Sequence, residues 1–363
     1  MDSIPVDSQG FFSGKPFYAT WLRRKDSSVP ELPVAVLAMQ PWALPGLFPA
    51  DLLERLRALV RLEPGPALTS FETDEASSVL RGADVLVTGW GCPRIDSSVL
   101  ATAPRLRAVI HTAGSVKGHV DPAVFAGGIT VSSAAQANAV PVAEYTVSAM
   151  VFAAKRVFIR AGWYAHDRAA GDWRSGQGTG LFGHTVGIIG ASRTGRLVLE
   201  RLRVHDVRLL VADPHISAQQ AHDLGAELVD VDELCRRSEL VSLHAPALPE
   251  THHLLDARRL ALLRDGTTLI NTARGSLVDT AALLGHCESG RIDAVLDVTD
   301  PEPLPPGHPL LRLPNVLVTP HLAGSQGHEL RRLGAFTVAE VARFVRGEPL
   351  HGAIRAGDLH RIA

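Results

Sequence analysis

The sequence has few cysteines, little net charge and no long apolar run. Its three cysteines, Cys92, Cys235 and Cys287, are far apart and none belongs to a C-x-x-C pair. This spacing favours buried free thiols in a reducing compartment over a disulfide framework. We predict no metal site.

The chain also lacks membrane and secretion signals. No apolar run approaches the roughly 18 residues that a membrane helix needs. Residues 1–10 carry acids and have no apolar stretch of the kind found in secretory signals. The formal net charge of -2 predicts no general attraction to nucleic acid or to anionic membranes. We therefore expect a cytoplasmic protein without nucleic-acid or membrane partners.

The sequence does contain two series of alternating apolar strands and helices. The chain has 363 residues, enough for roughly two domains. The first series starts at Pro33, after a polar extension of about 32 residues to which we assign no role. The second has predicted strands near 185–190, 207–212, 240–243, 267–270, 293–297 and 315–318. Such βαβ series indicate parallel sheets, and the second matches a doubly wound nucleotide domain.

A glycine-rich turn follows the first strand of the second series. Gly190 and Gly195 flank the turn, and Asp213 ends the next apolar run. This pattern is typical of dinucleotide binding, with pyrophosphate at a helix N-terminus and ribose on the acid. Ser192 replaces the middle glycine, and a strand-turn-helix corner without a ligand is the alternative. The charge of Asp213 favours NAD over NADP because it repels a 2′-phosphate.

Three polar side chains follow separate strands of the second series. Arg274, Glu302 and His321 each lie just past a predicted strand end, where open α/β sheets bind ligands. An imidazole can exchange the proton of an alcohol, and a nearby carboxylate favours its charged form. A guanidinium can hold a substrate carboxylate. Each could be a turn or surface residue, but together they suit hydride transfer to a 2-keto acid.

These motifs carry a family resemblance. Residues 185–324 closely resemble the D-isomer-specific 2-hydroxyacid dehydrogenases in three ordered segments, Asn271–Gly275, Asp297–Pro303 and Thr319–His321. The resemblance implies an NAD-dependent enzyme that interconverts a 2-keto acid and a D-2-hydroxy acid. Glu302 distinguishes the chain from formate dehydrogenases of the same fold, which carry glutamine there. A weaker resemblance extends back to about Asp84.

The resemblance also implies site residues. His321 would be the acid/base, Glu302 its partner, and Arg274 the group that orients the substrate. The implied cofactor contacts are Gly190, Ser192, Arg193, Thr194, Gly195, Asp213, His244, Ala245, Pro246, Thr251, Thr272, Ala273, Arg274, Asp297, His321 and Gly324. The implied substrate contacts are Trp90, Gly91, Gly114, Ser115, Val116 and Arg274.

The resulting fold prediction is α/β with two parallel-sheet domains. A Rossmann-type NAD-binding domain, 138–322, is inserted in a flavodoxin-like substrate domain, 1–137, which residues 323–363 complete. Asn138 and Glu144 lie near the predicted boundary between the two domains, and we expect them to serve in the hinge and in packing. The long connection from Trp163 to Gly183 and the resemblance together favour a homodimer.

Three questions stay open at the level of sequence. A non-catalytic NAD(H)-sensing regulator of the same fold would keep the same residues. An NADP-preferring glyoxylate or hydroxypyruvate reductase would differ in cofactor choice. The substrate is unassigned, and Arg81, Arg94 and Lys117 are candidate cations for a second substrate carboxylate.

Overall fold

A computed structural model describes residues 31–166 and 180–359 of the chain. Both sheets belong to one compact unit, Pro33–Ala363. The predicted extension, up to residue 30, and most of the predicted connection, residues 167–179, lie outside the described residues. The predicted domain boundaries at 137/138 and 322/323 stay predictions.

The first sheet comes from the first strand-helix series. Its parallel strands are β1 (Val34–Ala38), β2 (Arg61–Leu62), β3 (Val85–Thr88), β4 (Ala108–His111) and β5 (Thr130–Ser133), in the order β5-β4-β3-β1-β2. The accompanying helices are α1 (Leu44–Leu47), α2 (Ala50–Arg57), α3 (Asp74–Leu80), α4 (Ser97–Thr102) and α5 (Pro122–Ala126). Strands β3 and β4 are buried along their whole length, as expected for central parallel strands.

Two helices lead from the first sheet to the second. They are α6 (Ala135–Ala154) and α7 (Val157–His166). Small α6 side chains such as Ala143 and Ala149 pack into the apolar cluster that also contains Val198 and Leu199. Thr146 Oγ1 of α6 lies 2.9 Å from Oγ1 of Thr272, which directly follows β10, so α6 passes the carboxyl end of that strand.

The second sheet is a complete doubly wound sheet. Its strands are β6 (Thr185–Ile189), β7 (Arg208–Ala212), β8 (Glu227–Leu228), β9 (Leu240–Leu243), β10 (Thr267–Asn271), β11 (Ile292–Leu296) and β12 (Val316–Val318). Their order is β12-β11-β10-β9-β6-β7-β8 and all pairs are parallel. The helices are α8 (Arg193–Leu202), α9 (Ala218–Asp223), α10 (Val231–Arg237), α11 (Ala257–Leu262) and α12 (Thr280–Glu288). The strand order reverses between β6 and β9, which opens a crevice at their carboxyl ends.

The chain then returns to the first sheet. Helix α13 (Leu330–Arg346) precedes β13 (Ala353–Ile354), which pairs with β5. Buried Glu340 in α13 accepts hydrogen bonds from Ser132 Oγ at 2.5 Å and from the Gly352 N–H at 2.8 Å. A buried carboxylate needs such donors, so Glu340 ties the C-terminal helix to this sheet.

The two sheets are parallel, as predicted, except at one strand pair of the first sheet. Strand β13 runs antiparallel to β5 because the chain turns back after α13 along the open edge of the first sheet. Sequence patterns also missed the two-residue strands β2, β8 and β13, which are too short for a periodic signal, and the polar strand β5. The predicted strands of the second series each lie within two residues of an observed strand.

The cysteines are free thiols, as predicted. Cys235 and Cys287 are buried and Cys92 is half-buried. Burial raises the pKa of each thiol to about 12, so none is a thiolate near neutral pH. Among the helices of residues 31–166 and 180–359, none combines the length and apolar character needed to cross a bilayer.

Candidate active site

The loops after β6, β7 and β9 enclose a groove at the carboxyl edge of the second sheet. Its volume is about 1220 Å³, and it lies where the strand order reverses. The predicted cofactor contacts that line it are Gly190, Ser192, Asp213, His244, Ala245, Pro246 and Thr251. Of the others, Arg193, Thr194 and Gly195 form the first turn of α8, and Thr272, Ala273, Arg274, Asp297, His321 and Gly324 follow β10, β11 and β12.

Both flanking glycines of the turn are sterically required. Gly190 has φ +99°, and a Cβ there would lie 2.6 Å from the Ala245 nitrogen. A Cβ on Gly195 would overlap the carbonyl oxygen of Gly190. The two positions therefore let β6, α8 and the loop after β9 approach closely.

Ser192 does not obstruct the turn. It is the N-cap of α8 with φ -65°, a value open to any residue, and its Oγ accepts a hydrogen bond from the Gly195 N–H at 3.3 Å. A serine cap satisfies one of the free N–H groups at a helix start. The middle glycine of the pattern is therefore replaced by a capping residue.

Asp213 fixes the far side of the turn. One carboxylate oxygen accepts a hydrogen bond from the Ala191 N–H and the other from the His215 N–H, each at 2.7 Å. Each oxygen can accept a further bond. The acid is therefore held in place at the groove with acceptor capacity to spare.

Two other lining residues shape the groove wall. His244 is buried, its Nε2 lies 2.9 Å from Ser242 Oγ, and burial lowers its pKa to about 3. Its imidazole is therefore neutral across the physiological range. Thr251 Oγ1 donates to the Pro246 carbonyl at 2.6 Å and accepts from the Leu248 N–H at 2.8 Å, which closes the loop after β9.

The predicted catalytic side chains lie together. Nδ1 of His321 is 2.6 Å from Oε1 of Glu302, and both side chains are about half exposed. Burial lowers the pKa of the Arg274 guanidinium, and the Glu302 carboxylate acts in the opposite direction. Arg274 follows β10, and Glu302 lies in the loop after the neighbouring strand β11. A cation, an acid and an imidazole from three loops share one sheet edge.

Asp297 holds the loop that carries His321. Its buried carboxylate accepts hydrogen bonds from Thr319 Oγ1 at 2.6 Å, the Leu322 N–H at 2.8 Å and the Ala323 N–H at 2.9 Å. Its carbonyl accepts from the His321 N–H at 2.9 Å. His321 has φ +52°, an uncommon conformation outside glycine. These contacts give Asp297 a positioning role that its motif did not reveal.

Asn271 and Gly275 hold the Arg274 segment. Asn271 Nδ2 donates to the Arg274 carbonyl at 2.8 Å, and its Oδ1 accepts from the Ala273 N–H at 3.0 Å. A Cβ on Gly275 would overlap the carbonyl of Thr299. Within the Asn-x-x-Arg-Gly segment, Asn271 and Gly275 therefore fix the local backbone, in addition to any chemical role of Arg274.

Asn138 joins the predicted substrate loop to the His321 segment. Its Oδ1 accepts from the Ser325 N–H at 3.0 Å. A Cβ built on Gly114 would lie 3.5 Å from Asn138 Nδ2, and one on Gly324 would lie 3.4 Å from the same amide. The loop after β4 therefore meets the segment that follows His321. Lys117 adds a second bridge, with Nζ 3.1 Å from the Ala247 carbonyl.

The other predicted substrate contacts lie in neighbouring loops of the first sheet. The Trp90 ring stacks on Trp42 at 5.9 Å, and Gly91 has φ +70°. Ser115 Oγ accepts from the Lys117 N–H at 3.3 Å. The Val116 side chain is buried in the core, so only its backbone is available to a ligand.

Sequence patterns missed a histidine pair at the base of the predicted substrate loop, in which His111 is buried and His119 half-buried. His111 Nδ1 lies 2.9 Å from Thr88 Oγ1 and 3.1 Å from His119 Nε2. Burial lowers the pKa of both, that of His119 to about 4. The two histidines bracket residues 112–118. A spacing of eight residues between two histidines matches no sequence motif that would have predicted their contact.

The chain is similar to known proteins over much of its length. Residues 148–323 match the family described as D-isomer specific 2-hydroxyacid dehydrogenase, NAD binding domain. A glyoxylate reductase of Thermofilum pendens is 34% identical over 269 residues, 70% of this chain and 76% of the relative. The chain belongs to the D-isomer-specific 2-hydroxyacid dehydrogenase family. Its nucleotide domain therefore takes a nicotinamide dinucleotide.

Other relatives extend the family likeness. A D-3-phosphoglycerate dehydrogenase of Methanocaldococcus jannaschii is 33% identical over 301 residues, which is 82% of this chain. The chain spans about half the length of that relative, 56%. The crystal structure of the TT0316 protein from Thermus thermophilus superimposes with a TM-score of 0.70 and 31% identity, and covers 88% of this chain and 99% of that one.

Proposed function

We propose that the chain is an NAD(H)-dependent oxidoreductase that interconverts a 2-keto acid and a D-2-hydroxy acid. The observation that carries the proposal is the 2.6 Å contact between His321 Nδ1 and Glu302 Oε1, beside Arg274 and at the same sheet edge as the glycine-turn groove. Two of the similar proteins are a glyoxylate reductase and a D-3-phosphoglycerate dehydrogenase. Those names describe the relatives; the activity of this chain is inferred from its site.

The groove fits the proposed cofactor. Its glycine turn leaves no Cβ where the strand, helix and loop meet, and the first turn of α8 offers backbone N–H groups to a pyrophosphate. Asp213, with acceptor capacity to spare, would hold the ribose hydroxyls and repel a 2′-phosphate. When bound, a nicotinamide dinucleotide supplies or accepts the hydride. The sixteen residues predicted as contacts are its proposed surroundings.

His321 is the proposed acid/base. Because Nδ1 faces Glu302, Nε2 is the atom left to exchange a proton with the substrate oxygen. The Glu302 contact fixes the orientation of the imidazole ring. The histidine therefore gives a proton to the oxygen during reduction and takes one during oxidation.

Arg274 and the first-sheet loops are the proposed substrate-binding groups. The guanidinium would hold the substrate carboxylate and polarise the keto oxygen. Backbone N–H groups at Gly114, Ser115 and Val116 would add donors, and Trp90 and Gly91 would line the side-chain end. Asn138 holds the two sides of this cleft together.

The substrate class is narrowed by two cations that are already engaged. Arg94 pairs with Asp121 at 2.6 Å, and Lys117 donates to the Ala247 carbonyl. Both were candidates for a second substrate carboxylate. The third candidate, Arg81, is the C-cap of α3 just before β3, so it lies at the amino end of that strand, opposite the proposed substrate loops. We therefore favour a 2-keto acid with one carboxylate over a dicarboxylate.

The test is a substrate screen read by absorbance. Neutral, phosphorylated and dicarboxylic 2-keto acids, including glyoxylate and hydroxypyruvate, are offered with NADH and with NADPH. We expect NADH consumption by wild type and a rate lower by about 100-fold or more with His321→Ala. Absence of turnover together with NADH-dependent association with a protein partner would favour a sensing regulator. Preference for NADPH would contradict the role of Asp213.

We also propose a homodimer in the cytoplasm. Large apolar side chains are exposed around the end of α6 and α7 and before β6: Phe152 is 49% exposed, Trp163 53% and Phe182 84%. Exposed aromatic groups of this kind are typical of association surfaces. Free thiols agree with a reducing compartment. Sedimentation of the full chain tests the dimer, and a monomer at micromolar concentration would contradict it.

A further inference from the structure

A second cluster of chemically active side chains lies in loops beside the catalytic segments. His252 and His253 follow the short helix Pro249–Thr251, and Asp300 follows β11. Their ligand atoms all lie within 4.8 Å of one another. In the described part of the chain, this is the one group of three or more His, Cys, Asp or Glu residues with such spacing. We propose that it binds a divalent transition-metal ion.

The donor set defines the class of ion. Two imidazoles and a carboxylate suit Zn²⁺, Ni²⁺ or Cu²⁺, whereas Ca²⁺ and Mg²⁺ prefer oxygen ligands alone. Three protein ligands leave at least one coordination position for water. His252 and Asp300 are exposed and His253 is half-buried, so an ion can enter from solvent.

The backbone brings the two adjacent histidines to the same side. Neighbouring side chains of an extended strand point in opposite directions. Here His253 has φ +50°, in the left-handed region that residues with a side chain rarely adopt. The two imidazole rings consequently lie with centroids 4.0 Å apart. The His253 N–H donates to the Ser276 carbonyl at 2.8 Å, which fixes this turn against the segment after Arg274.

Asp300 is held by the same part of the molecule. Thr280 Oγ1 donates to the Asp300 carbonyl at 2.8 Å, and the neighbouring Thr299 carbonyl packs on Gly275. Both loops of the cluster therefore rest on residues 275–280. A metal site needs ligands that surrounding contacts hold in position before the ion binds.

An ion at this position would connect two loops of the proposed active site. Asp300 is two residues before Glu302, and His252 directly follows Thr251, which closes the loop of the cofactor groove. A bound ion would join these two segments. The proposal does not depend on the proposed reaction, because metal binding can be measured without substrate or cofactor.

The experiment is a Zn²⁺ titration of the full chain after removal of metals by a chelator. Isothermal calorimetry should give one Zn²⁺ per chain, and Co²⁺ should give the visible absorption of a nitrogen- and oxygen-ligated ion. We expect His252→Gln and Asp300→Asn each to weaken Zn²⁺ binding by about tenfold or more. The matched control is His222→Gln, an exposed histidine in α9, which should bind as wild type.

Two results would overturn the proposal. Unchanged affinity in Asp300→Asn and His252→Gln would show that these side chains are not ligands. Loss of Zn²⁺ binding in His321→Ala, with retention in both cluster variants, would place the ion on the catalytic pair. Circular dichroism of each variant checks folding, and Asp300→Asn and His252→Gln are two independent probes if either is unstable.

Discussion

The carboxylate of Asp213 accepts a hydrogen bond from the Ala191 N–H at 2.7 Å. One side chain therefore links the end of β7 to the glycine turn and also places a negative charge in the groove. Its charge and its structural role are separable, because an amide oxygen can still accept the same hydrogen bond.

We expect Asp213→Asn to raise the ratio of kcat/KM with NADPH to that with NADH. The change removes the repulsion of a 2′-phosphate while keeping an acceptor for the Ala191 N–H. The expected rise is roughly 10- to 100-fold. Steady-state kinetics with both cofactors measures it, and Asp265→Asn, whose side chain is 87% exposed, is the control. An unchanged ratio would remove Asp213 from cofactor selection.

His321→Ala should lower turnover by about 10²- to 10⁴-fold if His321 is the general acid. Glu302→Gln should have a smaller effect, because glutamine keeps an oxygen that can face His321 Nδ1 but loses the negative charge beside the imidazole. We expect kcat/KM for the 2-keto acid to fall by roughly 10-fold. A kcat/KM equal to that of wild type would contradict the partnership.

Arg274→Lys tests the proposed bidentate contact. Lysine keeps the charge but loses the planar fork of donors. We expect kcat/KM for the 2-keto acid to fall by roughly 100-fold, with partial recovery on addition of guanidinium to Arg274→Ala. Wild-type kinetics in Arg274→Lys would place the substrate carboxylate elsewhere.

Asp297→Asn should affect both stability and rate, because the buried carboxylate serves three donors. Asparagine offers one acceptor oxygen and turns an NH₂ group toward a donor of the 319–323 loop. The free energy of unfolding should fall by about 2–4 kcal/mol. Urea denaturation measures this loss, with Asp223→Asn on exposed α9 as the control. A stability equal to that of wild type would mean that the loop is held by other contacts.

Stability should fall on mild acidification. Burial holds the pKa of His119 at about 4 and that of His244 at about 3, below the unfolded value near 6.5. Between pH 6.5 and 4 the unfolded chain binds more protons than the folded chain, so the stability present above pH 6.5 is lost as pH decreases.

Urea denaturation across this pH range measures the effect. His119 and His244 each add up to about 1.4 kcal/mol per pH unit to the dependence of the free energy of unfolding on pH. His119→Gln should therefore show a shallower dependence than wild type, and His222→Gln the same dependence. Parallel curves for wild type and His119→Gln would show that His119 titrates normally.

The sequence alone predicted those strands and turns whose structure is determined by the residues of one short segment. Strands β6 to β12 other than β8 are apolar runs with turn signals between them, so local pattern located them. Gly190, Gly195 and Gly275 lie where any Cβ would collide with neighbouring backbone. Because parallel strands end at one edge, the strand positions of Arg274, Glu302 and His321 also predicted that these residues share that edge.

Only the tertiary structure showed which residues act through contacts distant in sequence. Asn138 meets Ser325, Glu340 meets Ser132, and His252 and His253 come within ligand distance of Asp300. Such pairs leave no periodic signal, since each partner is a polar residue in an otherwise ordinary loop or helix. The packing of the two sheets and α13 decides which of these residues come close together. Burial then determines their properties: it lowers the pKa of His119, and it leaves the Asp297 carboxylate to accept hydrogen bonds from the loop that carries His321.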